Sequence, residues 1–334
     1  MSDMDDGAFP ARMAKPHTGT PEARPKADFS GQAALRALRP WGSCPCCGGI
    51  RHRLDFDFSI SINPLAVPGQ VVTCQGCGLQ FKIPSRPDVP LEAYYDDSTH
   101  YQHQDDVAEA MKEFKVILDI IRREAGPNAT LLDIGAGAGY FLKSAVDAGF
   151  RAMGVELNAD LARLASEHSG AEVIAGDAHT LPKLLEGREQ SFMVVTLLDL
   201  IEHVRDPLKL LQDAAALLAP GGTLLVYTPN HRGLIVRTAI ALHDLTHGKI
   251  QGPARGIYDC DHITFFDRAS LREIARRAGL KPGSETMVKF NPFRRGVAKG
   301  TAATALRIIE AFSPWILGEF RILLTIKPAG IELG

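Results

Sequence analysis

Past residue 128 the chain alternates between two patterns of apolar residues. Short runs that are apolar almost throughout, such as Leu131–Ile134 and Phe192–Leu197, suit strands buried on both faces. Between them, apolar residues return at helical spacing on one side only. Strands are expected at Thr130–Ile134, Ala152–Val155, Glu172–Ile174, Phe192–Leu197, Gly222–Tyr227, Ser284–Phe290 and Phe320–Ile326. Helices are expected at Tyr140–Asp147, Ala159–Ser166, Pro182–Glu186, Pro207–Leu218 and Ala269–Ala278. This alternation implies an α/β fold with a doubly wound, mostly parallel sheet. Upstream, Val107, Met111, Phe114, Leu118 and Ile121 repeat at helical spacing behind Asp105 and Asp106, whose charges suit a helix start. Before residue 41 the periodicity stops. Pro10, Pro16, Pro21, Pro25 and Pro40 interrupt a mixed-charge stretch with too little apolar surface to offset ordering, which reads as a disordered leader. Four regions result: a leader over 1–40, a cysteine-rich module over 41–90, a linker and helix over 91–128, and an α/β domain over 129–334.

Charge and targeting narrow the partners. With 37 Lys+Arg against 39 Asp+Glu, the net charge is −2, without the basic excess of a nucleic-acid or anionic-membrane binder. No run approaches the ~18 apolar residues of a membrane helix, and the first residues lack a signal-peptide core, so a cytoplasmic location is expected. Disulfides are disfavoured there, and the cysteines need another reason. Cys44 and Cys47, then Cys74 and Cys77, form two C-x-x-C turns, each followed by glycine. Such turns aim paired thiolates at one point, and two of them complete a tetrahedral structural Zn2+ site. A hairpin of Ile50–Phe58 and Gln70–Thr73 fits between them, making a zinc ribbon. Cys46 is a spare thiol.

The segment Leu131-Leu132-Asp133-Ile134-Gly135-Ala136-Gly137-Ala138-Gly139-Tyr140 runs from a buried strand into a helix through a glycine bend. Ligands bind open α/β sheets at such strand ends. The spacing is G-x-G-x-G, and Tyr140 falls where a dinucleotide fingerprint would continue, so a ligand without a pyrophosphate is better served. The next strand ends at Glu156, placed to take ribose hydroxyls, and the third at Asp177, placed for an adenine amino group.

With these motifs the sequence resembles the class I S-adenosylmethionine-dependent methyltransferases over roughly residues 125–327. The resemblance is carried by Leu131–Gly139, Val155-Glu156, Gly176-Asp177-Ala178, Leu198–Pro207, Pro220-Gly221-Gly222 and Thr228-Pro229-Asn230. Residues 41–95, including Tyr94-Tyr95, are similar to zinc ribbons fused ahead of some such enzymes. The resemblance implies a seven-stranded Rossmann-like sheet with an antiparallel last strand, and S-adenosyl-L-methionine as cofactor. It implies that Asp133, Gly135, Ala136, Gly137 and Gly139 hold the methionine part. Glu156 would bind the ribose, Asp177 and Ala178 flank the adenine, and Leu157, Leu198 and Asp199 count among the cofactor-binding residues. It also implies methylation of a small-molecule acceptor, in the manner of ubiquinone-pathway, sugar or polyketide enzymes.

Methyl transfer needs a nucleophile in line and a base for its proton. The candidate bases are His203, directly after the fourth strand, and His262, in Tyr258–Phe266 with Asp259 and Asp261 beside it. A second metal site from Asp199, Glu202, His203 and His262 is a further reading. Gly233–His243 suits a lid or substrate wall. Ala302–Leu317, near Lys289, Arg294, Arg295 and Lys299, reads as core or dimer contact, with a membrane-surface patch for a lipid-linked substrate as the alternative. A nucleic-acid methyltransferase gripping RNA or DNA with the ribbon competes, but Leu198-Asp199-Leu200-Ile201 lacks the Pro-Pro-aromatic motif of base-amino enzymes. A non-catalytic interaction protein is opposed by the complete set of acidic strand ends.

Overall fold

The computed structural model describes residues 42–62, 65–85, 104–288 and 321–328. The expected leader, the Asn291–Glu319 connection with Ala302–Leu317, and most of the linker before the first helix lie outside the described residues. The elements, in order, are β1 (His52–Ile62), β2 (Leu65–Cys74), β3 (Gln80–Pro84), α1 (Gln104–Ala125), β4 (Thr130–Ile134), α2 (Tyr140–Asp147), β5 (Arg151–Glu156), α3 (Ala159–Ser169), β6 (Glu172–Ala175), α4 (Leu181–Leu184), β7 (Phe192–Leu198), α5 (Pro207–Ala216), β8 (Leu218–Pro229), α6 (Leu234–Leu245), α7 (Gly252–Tyr258), β9 (Thr264–Phe265), α8 (Arg268–Arg277), β10 (Leu280–Val288) and β11 (Arg321–Pro328).

The large sheet has seven strands in the order β10-β11-β8-β7-β4-β5-β6. The run from β8 to β6 is parallel, whereas β11 is antiparallel to both β8 and β10. Winding reverses between β4 and β7, so a crevice opens at their carboxyl ends. Apolar residues on the two faces of the sheet enter two cores. One, with Leu131, Val194 and Leu225, is covered by α1 and α2 through Ile117, Ile121, Phe141 and Leu142. The other, with Leu132, Ile134, Val195 and Leu224, is covered by α5 and α8.

Helix ends follow local chemistry. Asn158 caps α3 by accepting from the amides of Asp160 and Leu161 at 3.0 and 3.1 Å. Asp206 caps α5, whose first residue is Pro207, where the missing amide donor costs nothing. The expected helix Pro207–Leu218 stops at Ala216, because Leu218 already pairs with Phe192, and Pro220 and left-handed Gly221 (φ +79°) forbid a further turn. The strand expected from Ser284 starts earlier, at Leu280, through an irregularity at Pro282. Proline lacks a ladder donor, and a Cβ on Gly283 would meet Thr325 Oγ1 at 2.7 Å, so the pairing shifts there.

A second sheet has the order β1-β2-β3-β9. Its hairpin runs longer than expected, with register from His52–Cys74 to Ile62–Leu65. Its fourth strand is β9, from the far side of the chain, pairing Gln80 with Phe265 and Phe81 with Thr264. Among the described residues, no helix is long and apolar enough to cross a membrane.

Candidate active site

The carboxyl ends of β4, β5, β6 and β7 gather the acidic residues picked out in the sequence. After β4 the chain bends through Gly135, Gly137 and Gly139, all at positive φ. The amides of Gly135 and Ala136 donate to Val155 O at 2.8 and 3.0 Å, fastening the bend to β5. Glu156, at the tip of β5, is buried and accepts from the amides of Gly137 (2.8 Å) and Asn158 (3.0 Å). Burial raises its pKa, against those same hydrogen bonds. Asp133 lies beneath the bend, 2% exposed, accepting from Thr196 Oγ1 at 2.7 Å. Burial pushes it up to about 7; the Thr196 bond opposes this and the Glu156 charge adds to it.

Asp177 turns the chain after β6 by accepting from the His179 amide at 2.8 Å, and the neighbouring Ala178 packs on the core. Asp199 follows β7 in left-handed backbone, φ +51°, with its amide donated to Tyr227 O at 2.9 Å. A non-glycine residue held there points to a local constraint. Leu198 packs partly into the core, while Leu157 is 52% exposed.

The two candidate bases meet although 59 positions separate them in the sequence. The His203 and His262 rings stand edge to face with centroids 4.7 Å apart. His203 Nδ1 lies 3.6 Å from Asp261 Oδ2, and its Nε2 lies 4.0 Å from Glu202 Oε1. Glu202 is fully buried and accepts from Thr228 Oγ1 at 2.9 Å. Burial raises its pKa to about 6, against the pull of His262. Burial works against the charged ring of His262, but Cys260, Glu202 and Asp261 outweigh it and lift its pKa to about 9. The surroundings of His262 thus favour its charged form. Glu202, His203 and His262 each offer a donor atom within 4.8 Å of one another; Asp199, the fourth residue of the sequence reading, is not in that group.

Sequence reasoning passed over His231, just past β8. Its ring lies 5.8 Å from His262, and neither of its nitrogens has a hydrogen-bond partner. Burial, then the charges of His262 and Lys82, hold its pKa well below the ordinary histidine value. The only sequence signal was its place at the end of a parallel strand.

The four ribbon cysteines also converge. Cys44 and Cys77 sulfurs are 3.5 Å apart, as are those of Cys47 and Cys74, and all four lie within 4.8 Å of one another. A tetrahedron with Zn–S bonds of about 2.3 Å has edges of roughly 3.8 Å, so the donor set fits zinc in kind and spacing. Amides of Gly49 and Gly76 point at Cys47 and Cys74 sulfurs at 3.4 and 3.3 Å. The hydrogen bond to Cys77 and burial hold Cys44 protonated, while the same bond favours the Cys77 thiolate. Four sulfurs this close do not all ionise without a cation.

The methyltransferase-domain family profile matches residues 101–285, more than half of the chain. The chain belongs to that family. Its sheet order and glycine bend are those of the class I S-adenosylmethionine-dependent methyltransferases. This methyltransferase is 29% identical over 164 residues to the ubiquinone biosynthesis O-methyltransferase of Ralstonia nicotianae, covering 48% of this chain and 67% of that one. It is 31% identical over 165 residues to the enzyme of that name from Ruegeria pomeroyi, covering 48% and 64%, and 33% identical over 113 residues to that from Xanthomonas campestris pv. campestris, covering 33% and 47%. The chain thus spans about half to two thirds of the length of these relatives. Among solved structures it is similar to the PH0226 protein of Pyrococcus horikoshii, at 18% identity and a TM-score of 0.45, covering 70% of this chain and 98% of that one.

Proposed function

We propose that this methyltransferase methylates a small-molecule acceptor, with a hydroxyl oxygen as the nucleophile. The observation that carries the reading is the arrangement of carboxylates around the glycine bend at the tips of adjacent strands, with the His203–His262 pair at the end of the next. S-adenosylmethionine supplies a methyl already activated on a sulfonium. The bend Gly135, Ala136, Gly137 and Gly139 with Asp133 receives its methionine end; Glu156 and Leu157 take the ribose; Asp177 and Ala178 flank the adenine; Leu198 and Asp199 close the site. With the cofactor bound, the methyl would go to the acceptor oxygen and the sulfur would keep the electrons of the broken bond, and His203 Nε2 would take the hydroxyl proton. Asp261, facing Nδ1, steadies the charge formed. Charge on His203, then on His262, lowers the Asp261 pKa against its burial, so the Asp261 carboxylate and a protonated His203 favour one another. The relatives named O-methyltransferases support oxygen as the acceptor atom. Cys44, Cys47, Cys74 and Cys77 hold structural zinc; with four thiolates and no open position, it takes no part in the chemistry.

Incubating the full chain with an extract and isotope-labelled methyl donor, followed by mass spectrometry, tests this. A labelled methyl should appear on one small hydroxylated compound, and label in RNA or DNA instead would overturn the reading. His203→Gln should lower the transfer rate by about 10²–10⁴-fold while S-adenosylmethionine affinity holds. An equal rate in that variant removes His203 from the base role.

A further inference from the structure

The chemistry above leaves Lys82 unused, and its surroundings are costly for an amino group. It is the middle residue of β3, where successive side chains leave the strand on opposite faces. Phe81 enters the core shared with the large sheet. Lys82 is fully buried with its Nζ 4.7 Å from the Phe58 ring centre and 5.6 Å from that of Phe265. Both rings belong to an apolar cluster with Phe56, Val71 and Tyr258. Among the described residues, Nζ forms no ion pair; its polar partner is the Cys260 carbonyl. Burial lowers its pKa, against the charges of Cys260, Asp261 and Asp259. An apolar side chain of similar length would fill this place without that cost, since a buried charge is weak evidence of a role in stability.

What Lys82 does there is bracket one short segment. Its side chain donates to the Cys260 carbonyl, and its backbone amide donates to the Ile263 carbonyl at 2.9 Å. The two residues between those carbonyls are Asp261 and His262. Asp261 Oδ2 lies 3.6 Å from His203 Nδ1, and the His262 ring stands 4.7 Å from that of His203. The Ile263 amide donates to Glu202 O at 2.7 Å, so the same segment is also tied to the chain beside His203. The Ile263 anchors are backbone bonds and do not depend on the residue type at 82. The Cys260 anchor depends on the lysine side chain.

Resting on the reading of His203 as the base, we propose that Lys82 is a positioning residue for methyl transfer: its amino group fixes the Cys260 end of the segment, and with it the approach of Asp261 and His262 to His203. The small sheet thus reaches the reaction through one buried side chain. A displacement of about 1 Å in a reacting geometry costs about 10²-fold in rate. The glycine bend and the acidic strand ends proposed for the cofactor make no use of this anchor.

Lys82→Met, which keeps an unbranched chain and drops the donor, tests this in the zinc-supplemented full chain. The rate is read as label passing from S-adenosylmethionine to the small-molecule fraction of an extract. At saturating S-adenosylmethionine it should fall about 10–100-fold, with the KM for S-adenosylmethionine and the melting temperature held. Hydrogen exchange should quicken over residues 259–266 and nowhere else. Lys82→Leu, which also lacks the donor, should give the same result should the Met variant fail to fold. An undiminished rate in a folded variant overturns the proposal. So does a loss of rate that comes with a lower melting temperature and faster exchange throughout, or the failure of both variants to fold, since each makes Lys82 a structural residue. His203→Gln at full rate overturns the base reading and this proposal with it; a slowed His203→Gln beside a full-rate Lys82→Met overturns this proposal alone.

Discussion

At the scale of single residues, Asp133 is a carboxyl group whose protonation the fold alters strongly. A raised carboxyl pKa means that folding takes up a proton: the stabilisation is complete below the ordinary value of 3.8 and is gone above about 7. A cationic amino group arriving at the glycine bend, as proposed for the cofactor, favours the carboxylate. Binding of S-adenosylmethionine near pH 6 should therefore release up to about one proton. Calorimetry in buffers of different ionisation heat reads that number directly, and Asp133→Asn should reduce it, leaving any share from Glu156. Proton uptake, or an identical release in the variant, would contradict the assignment. Asp133 and Glu156 were legible in the sequence because each closes an apolar strand. His231 and the burial of Glu202 were not, since both arise when the Asp261–Phe266 segment packs over the ends of β7 and β8, a contact that no local pattern encodes.

At the scale of elements, the bend between β4 and α2 shows why one glycine differs from another. Gly139 caps α2 at φ +82°, and a Cβ there would lie 2.6 Å from the Ala165 Cα of α3. Gly221 has nearly the same backbone, φ +79°, with nothing within 4 Å of a Cβ. Gly221→Ala should cost only the left-handed backbone penalty of about 1–2 kcal/mol. Gly139→Ala adds overpacking of about 1–3 kcal/mol, and should also loosen S-adenosylmethionine by displacing the bend. Urea midpoints compare the two, and equal losses would mean that the approach of α2 to α3 is not what demands glycine. The G-x-G-x-G spacing announced a glycine bend after β4; that its third glycine also seats two helices emerges only in three dimensions. Strand and helix positions in the large sheet were legible because each buries a continuous apolar face. The two-residue β9 is too short to carry a period, and α7, with Gly252, Pro253 and Gly256, has little helix propensity and forms by packing Ala254 and Tyr258 against β1 and β2.

At the scale of the whole described unit, the four-cysteine ribbon proposed to hold zinc and the large sheet share one interior. Cys44, Cys46, Cys74, Leu79 and Phe81 belong to the same core as Leu132, Ile134, Val195 and Ile274. The backbone is joined as well: β3 pairs with β9, and the Lys82 amide donates to Ile263 O at 2.9 Å. The Lys82 side chain, fully buried between Phe58 and Phe265, donates to the Cys260 carbonyl. Cys260 is followed by Asp261 and His262, so the small sheet supports the segment that brings His262 to the proposed base, His203. Structural zinc contributes about 10–16 kcal/mol in small modules, comparable to the whole stability of an ordinary domain. With a shared core and a shared sheet, that energy is not confined to the ribbon. The zinc-replete chain should melt in a single calorimetric transition with one zinc per chain. Stripping the metal with a chelator, or Cys74→Ser, should shift that whole transition down and weaken S-adenosylmethionine binding with it. Two separate transitions, or a large sheet that melts at an unchanged temperature once the zinc is gone, would show the ribbon to be an independent module.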